Sequence, residues 1–374
     1  MKLAMVKFGG RMHANGNGPI DGEVMAAVDL FVRGNNEVHY YTRILDKDIP
    51  LKGAIGHNFE EFENGKHDAL IIINGNINFF GGQEPKVDMQ TLKLVNLFQG
   101  PVFYILFDPL LPLRQHWKGI ETKQEKYNWE NRYTKEEVEI KRKDIVCISQ
   151  PYNIEAVKKI LEKSEIQFKD VIHYPLHKMH LVYYDRLEKI LPLEERENHL
   201  AFGGTFRSGR REDKLVKYYF GYPEDVNVEL FGKFKLKQFN TSKYKDLRPP
   251  TFGENYKHYD VPEKMSKSVA TVVIGDKWYE GNNLAQRVYE NILSNTVTFI
   301  DKELDPLGKV YEKNDTIKNF LWVENREDVI RNMKLILPHL DEGLKAVLDV
   351  QYEAVKIDKT QYVNDLSNLI KNNI

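Results

Sequence analysis

The chain has 374 residues, 54 Lys plus Arg against 55 Asp plus Glu, and a formal net charge of -1. That length exceeds one ordinary core and fits two domains, and the charge balance excludes a surface that is basic overall, leaving local patches for any polyanion contact. A single cysteine, Cys147, excludes an internal disulfide and a thiolate metal cluster and suits a reducing cytosol.

The N-terminal run MKLAMVKFGG is apolar but meets glycine too soon for a signal-peptide core. No later stretch approaches the roughly 20 apolar residues of a membrane helix. A soluble, cytoplasmic protein without membrane contact is expected. Short β-branched runs at 3–8, 38–41, 69–73, 102–107 and 145–148 predict buried strands, and amphipathic patterns at 23–31, 91–98 and 154–161 predict helices between them. That alternation predicts a parallel sheet with helices on both faces and functional residues at the carboxyl ends of strands.

The second half repeats the style, with strands predicted at 199–203, 226–231, 268–274 and 297–300 and helices at 211–220, 284–293 and 327–335. A boundary is expected within 184–198, where LEKILPLEEREN is charged and contains Pro192, although a linker helix would look the same. The expected division is therefore a first Rossmann-like lobe over 1–184, a second over 185–344, and one or two helices over 345–374 that return to the first lobe.

Between the strand and helix predicted near residue 205 lies FGGTFRSGRRE, residues 202–212. Gly203 and Gly204 allow a tight turn and close backbone approach. Arg207, Arg210 and Arg211 stand at a helix N-terminus, where free amides already favour an anion. Basic residues there oppose the macrodipole, which points to a bound phosphate; on spacing alone a solvated basic turn fits equally well.

Other candidates carry similar pairs of readings. Asp108 directly follows VFYILF, so it is either a turn former or a carboxylate at a strand end. Arg287 and Glu290, three apart on a helix, share a face and form at least a surface ion pair. The aromatics of INFFGG, residues 77–82, are core residues or part of a loop at a cleft. Arg114, His116, Lys118, Lys123 and Lys126 form one basic stretch, tempered by Glu121 and Glu125, and KFKLKQFNTSKYKDLR at 233–248 interleaves bases with aromatics. No His and carboxylate spacing suggests a dedicated metal site.

Taken together, FGGTFRSGRRE, INFFGG, DPLLPLRQHW at 108–117, CISQ at 147–150, GDKWY at 275–279 and RVYE at 287–290 resemble the phage DNA β-glucosyltransferases, in that family's order and over nearly the whole chain. The resemblance implies an inverting transferase of the GT-B type, an α/β protein with two Rossmann-like lobes facing a central cleft. Its implied activity moves a sugar from a UDP-sugar to 5-hydroxymethylcytosine in double-stranded DNA, inside a phage-infected bacterial cell. Asp108 matches the family's catalytic base. Gly204, Thr205, Arg207, Arg211 and Arg287 match its UDP contacts, and Glu290 matches the acceptor of the ribose hydroxyls. Asn78, Phe79 and Phe80 would help extrude the target nucleotide, while Arg114 and Lys118 would hold DNA phosphates.

Two positions bear on the sugar. Glu23 is retained, but His177 stands where the family has a second acidic sugar contact. An imidazole accepts fewer hydroxyl hydrogen bonds than a carboxylate, which opens the choice between glucose and a pentose such as arabinose. The uracil-side segment at 256–262 also departs in length, so no base contact is assigned. Mg or Mn could assist at the diphosphate, held mainly by phosphate oxygens, and a monomer is expected. The competing expectations are a UDP-sugar transferase acting on a small molecule or glycan, and a non-catalytic DNA-binding protein.

Overall fold

In the computed structural model, residues 1–7, 22–42, 53–73, 92–107, 140–162, 167–255, 260–275 and 283–374 are described. The apolar runs KLAMVK, ALIII, VFYIL and IVCIS form β1 (Lys2–Lys7), β4 (Ala69–Ile73), β5 (Val102–Leu106) and β6 (Ile145–Ser149). Strands covered on both faces read as continuous apolar runs, and β4, β5 and β6 are buried along their whole length.

These strands belong to a compact unit made of Met1–Met179 and Asp358–Ile374. With β2 (Glu37–Thr42), β3 (Ile55–Asn58) and β7 (Phe168–His173), they give a parallel sheet of order β3-β2-β1-β4-β5-β6-β7. Helix α1 (Gly22–Arg33) follows β1 and buries Val24, Ala27, Val28 and Phe31, and α2 (Ile154–Leu161) follows β6. Because β2 and β3 lie on one side of β1 and β4 on the other, the strand order reverses between β1 and β4. Open α/β sheets bind ligands beyond the carboxyl ends of strands at such a reversal.

The second unit spans His180–Ile357, and the division falls within the short helix α3 (Met179–Tyr183). Its sheet comprises β8 (Asn198–Thr205), β9 (Val228–Lys233), β10 (Thr251–Phe252), β11 (Ser268–Val273), β12 (Val297–Asp301) and β13 (Trp322–Val323). The order is β10-β9-β8-β11-β12-β13, parallel throughout, with its reversal between β8 and β11. Connections include α4 (Arg210–Tyr219) after β8, α5 (Val261–Ser266) before β11, and α6 (Arg287–Leu293) between β11 and β12. Helices α7 (Asp315–Leu321), α8 (Arg326–Ile336) and α9 (Leu340–Val355) follow.

Three expectations are corrected. The stretch 184–198 is neither a loose linker nor a helix: it carries a 3-10 turn at Leu193–Glu195, and buried Arg196 donates to the carbonyls of Leu191 (3.0 Å), Ser268 (2.6 Å) and Asn295 (3.0 Å). Those bonds fix the stretch to the second unit. The returning segment begins at Asp358 rather than at residue 345. Helix α9 stays with the second unit because its buried Gln351 donates to Thr296 O (2.8 Å) and accepts from Thr298 N (3.1 Å), while α10 (Lys359–Lys371) joins the first unit through buried Tyr362, Leu366 and Ile370. Strands β3, β7, β10 and β13 were not expected; IGHN and FKDVIH are too polar for a buried-strand pattern, and the other two span two residues each. No described helix is long and apolar enough to cross a membrane.

Candidate functional site

The glycine-rich loop begins where β8 ends. Gly204 and Thr205 stand opposite Gly232 and Lys233 of β9. A Cβ on Gly204 would come within 2.8 Å of the Phe202 ring, which is itself wedged between Tyr219 and Phe234. Gly209, with φ 81, precedes α4 in the left-handed region that glycine enters at no steric cost.

The first turn of α4 is not purely basic. It also contains Glu212 and Asp213, and buried Glu212 accepts from Gly209 N (3.4 Å) and Asn240 N (2.6 Å) and pairs with Lys243 (3.1 Å). The protein thus offsets part of the dipole conflict itself, which weakens the inference of an anion from three clustered arginines. Arg210 lies 3.4 Å from Glu303 as an exposed ion pair. Of the loop's other two guanidinium groups, Arg207 is exposed and Arg211 half-buried.

On the other side of the strand reversal, α6 follows β11 and carries Arg287 and Glu290. Their ion pair exists, Arg287 Nη1 to Glu290 Oε2 at 2.8 Å, but Glu290 is 4% exposed, so it is no ordinary surface pair. Buried His180 of α3 brings Nδ1 within 3.3 Å of Glu290 Oε1, and its Nε2 meets the Gln286 amide oxygen. Sequence patterns gave no sign of His180 or Gln286. A histidine in a short apolar helix reads as core until its partners are known.

Two buried groups support these loops. The Tyr219 hydroxyl accepts from Val272 N (2.8 Å) and donates to Val272 O (2.7 Å). Residues 268 and 270 of β11 pair with β8, and Val272 is the next residue facing that way. Tyr219 therefore takes the place of a diverging strand where β8 and β11 part, and ties the end of α4 to β11. Lys214, also on α4, contacts Asp301 (2.7 Å) and Glu303 (2.6 Å), and Tyr218 donates to Asp301 (2.9 Å).

In the first unit, His177 is fully buried in a 3-10 turn (Leu176–Lys178), with the Tyr152 hydroxyl 3.1 Å from Nε2. Burial, then the charges of Lys178 and His173, holds the imidazole well below the usual histidine range, so it is neutral. Glu23 falls in the first turn of α1. Its side chain, and Asp108, Asn78, Phe79, Phe80, Arg114 and Lys118, lie outside the described residues. In the 233–248 stretch, Phe234 and Phe239 are buried, and Phe239 packs on Phe206, Phe220 and Tyr244. Phe234 and Phe239 are core residues, not a stacking surface. Among the described residues no group of three or more His, Cys, Asp or Glu side chains could hold a metal ion.

A family model for bacteriophage T4 β-glucosyltransferase matches residues 41–179. The DNA β-glucosyltransferase of enterobacteria phage T4 is 31% identical over 310 residues, 82% of this chain and 83% of that protein. The chain belongs to the phage DNA β-glucosyltransferase family. The crystal structure of the T4 phage β-glucosyltransferase in complex with UDP-glucose matches with a TM-score of 0.80 at 25% identity, covering 100% of this chain and 99% of that one. The T4 phage enzyme in complex with UDP and Mn2+ gives 0.79 at 27% identity, covering 99% of each. The fold is thus the two-lobed α/β fold of the DNA β-glucosyltransferases, with one lobe built on each sheet.

Proposed function

We propose that this chain transfers a sugar from a UDP-sugar to the hydroxymethyl group of 5-hydroxymethylcytosine in double-stranded DNA, with inversion at the anomeric carbon. One observation carries the proposal. In a chain 31% identical to the T4 DNA β-glucosyltransferase, Arg207 and Arg211 follow β8 while Arg287 and Glu290 follow β11, the two strands that flank the second sheet's reversal.

In this scheme Arg207, Arg211 and Arg287 grip the diphosphate, whose charge grows as the sugar bond breaks; planar guanidinium groups suit paired phosphate oxygens. The backbone at Gly204 and the Thr205 hydroxyl complete that grip, and Glu290 accepts the ribose hydroxyls. Asp108 takes the proton of the DNA hydroxymethyl group. The freed oxygen pair forms the bond to the anomeric carbon, the bond to the diphosphate oxygen breaks, and its electron pair leaves with UDP. Asn78, Phe79 and Phe80 support extrusion of the target nucleotide, and Arg114 and Lys118 hold flanking phosphates.

Glu23 faces the sugar in this scheme, and the fully buried His177 holds the second sugar-side position. Family membership favours glucose. His177, with the Tyr152 hydroxyl at Nε2, stands where a carboxylate would offer two acceptor oxygens, and that loss of acceptors favours a smaller sugar such as arabinose as the variant donor. A Mg or Mn ion would neutralise charge on the leaving diphosphate. With no ligand cluster among the described residues, its ligands would be mainly phosphate oxygens and water.

The test is UDP release from UDP-glucose and UDP-arabinose with hydroxymethylated duplex, unmodified duplex or no DNA. Release only with hydroxymethylated duplex is expected, and Asp108→Asn should abolish it while UDP still binds. Equal release without DNA would contradict the proposed acceptor.

A further inference from the structure

Glu290 presents a problem that its role as a ribose acceptor does not solve. A buried carboxylate is stable as an anion only when neighbours compensate for lost water. Arg287 does so at Oε2 (2.8 Å), yet the proposed function turns that same guanidinium toward a diphosphate. Another neighbour is His180, fully buried, with Nδ1 3.3 Å from Oε1.

His180 is itself fixed at both ends. Its Nε2 meets the side-chain oxygen of Gln286, which stands four residues before Glu290 and so shares its helix face. The ring also stacks on Tyr184, with centroids 5.7 Å apart. The imidazole is therefore clamped between two positions of one helical turn. We propose that His180 is a positioning residue: packed against Oε1, it holds the Glu290 carboxylate at one rotation, so that its oxygens meet the vicinal diol of a nucleoside diphosphate even when Arg287 is engaged elsewhere. This rests on Glu290 being the ribose acceptor.

The test measures binding of UDP, 2′-deoxy-UDP and inorganic pyrophosphate by calorimetry to this chain and four variants. Glu290→Gln tests the underlying ribose contact and is expected to lower the preference for UDP over 2′-deoxy-UDP. His180→Phe fills the ring's volume without a donor; it is expected to weaken UDP about tenfold, the scale of a hydrogen bond to a charged group, to erase most of the preference, and to leave pyrophosphate binding unchanged. His180→Asn, which keeps an N–H near the Nδ1 position, is expected to restore the preference. If His180→Phe does not fold, Gln286→Leu, which releases the other end of the ring, is expected to reduce the same preference several-fold. A wild-type preference in His180→Phe, or in Gln286→Leu should the former not fold, combined with its loss in Glu290→Gln, overturns the role of His180. An unchanged preference in Glu290→Gln overturns the ribose contact and this inference with it.

Discussion

Replacing Tyr219 with Phe removes one oxygen atom and leaves two main-chain groups without their partner. Tyr219 is 1% exposed, and its hydroxyl serves both Val272 N (2.8 Å) and Val272 O (2.7 Å) at the point where β8 and β11 separate. An unsatisfied buried polar group costs about 1–3 kcal/mol, so two give about 2–6 kcal/mol, reduced to about 3 kcal/mol if water reaches one of them. For a unit of roughly 150–250 residues, about 3 kcal/mol corresponds to a melting point lower by about 6–12 °C. Differential scanning calorimetry reads this for the second unit, and amide exchange reads it locally, since Val272 N–H should lose protection in the variant. Burial holds the phenol protonated at all accessible pH, so the loss should not depend on pH. A melting point within about 1 °C of wild type, with Val272 still protected, would refute the idea that this hydroxyl replaces a strand.

Three further outcomes are expected. Lys214→Met strips the cation from nearly inaccessible Asp301 (1% exposed, 2.7 Å away) and should cost about 3 kcal/mol in urea unfolding; adding Asp301→Asn should recover part of that loss, whereas simple additivity would deny the coupling. Arg207→Ala and Arg211→Ala should each weaken UDP binding about tenfold or more, while Arg210→Ala, whose guanidinium rests on Glu303, should change it less than about twofold; equal losses would remove the distinction. Burial first, then the charges of His39, Lys2 and His57, pushes the His67 imidazole down from 6.5 to about 4. The unfolded chain therefore takes up that proton before the folded chain does. This contribution is complete above about pH 6.5 and is lost as pH falls toward 4, so His67→Phe should flatten the acid limb of the urea midpoint, and an unchanged limb would deny it.

What the chain reveals of itself before folding follows from how local each signal is. Strands β1, β4, β5, β6, β8, β11 and β12 are buried on both faces, so their apolar runs are continuous and visible. Strands β3 and β7 lie at the sheet edges, where His57, Lys169 and Asp170 are tolerated, and only their neighbours define them. Arg207 and Arg211 stand out as candidates because they lie in a short string beside the end of β8, and Arg287 and Glu290 because they sit three apart on one helix face. His180, Gln286, Tyr219 and Lys214 do not, because each acts through a partner between 53 and 110 residues away, His180 meeting Glu290 and Gln286 from another helix. The tail illustrates the same limit: amphipathicity shows that α9 and α10 each bury a face, but not that Gln351 keeps the first with one unit while Tyr362 sends the second to the other.

The most direct measurement is the mass of nucleosides recovered from duplex DNA after incubation with the protein and a UDP-sugar. Hydroxymethylated DNA should yield 5-hydroxymethyl-2′-deoxycytidine heavier by one sugar residue, hexose or pentose according to the donor used, and unmodified DNA should yield none. Turnover of the donor with no sugar on the hydroxymethyl nucleoside, or sugar on unmodified cytosine, would contradict DNA glycosylation at that group.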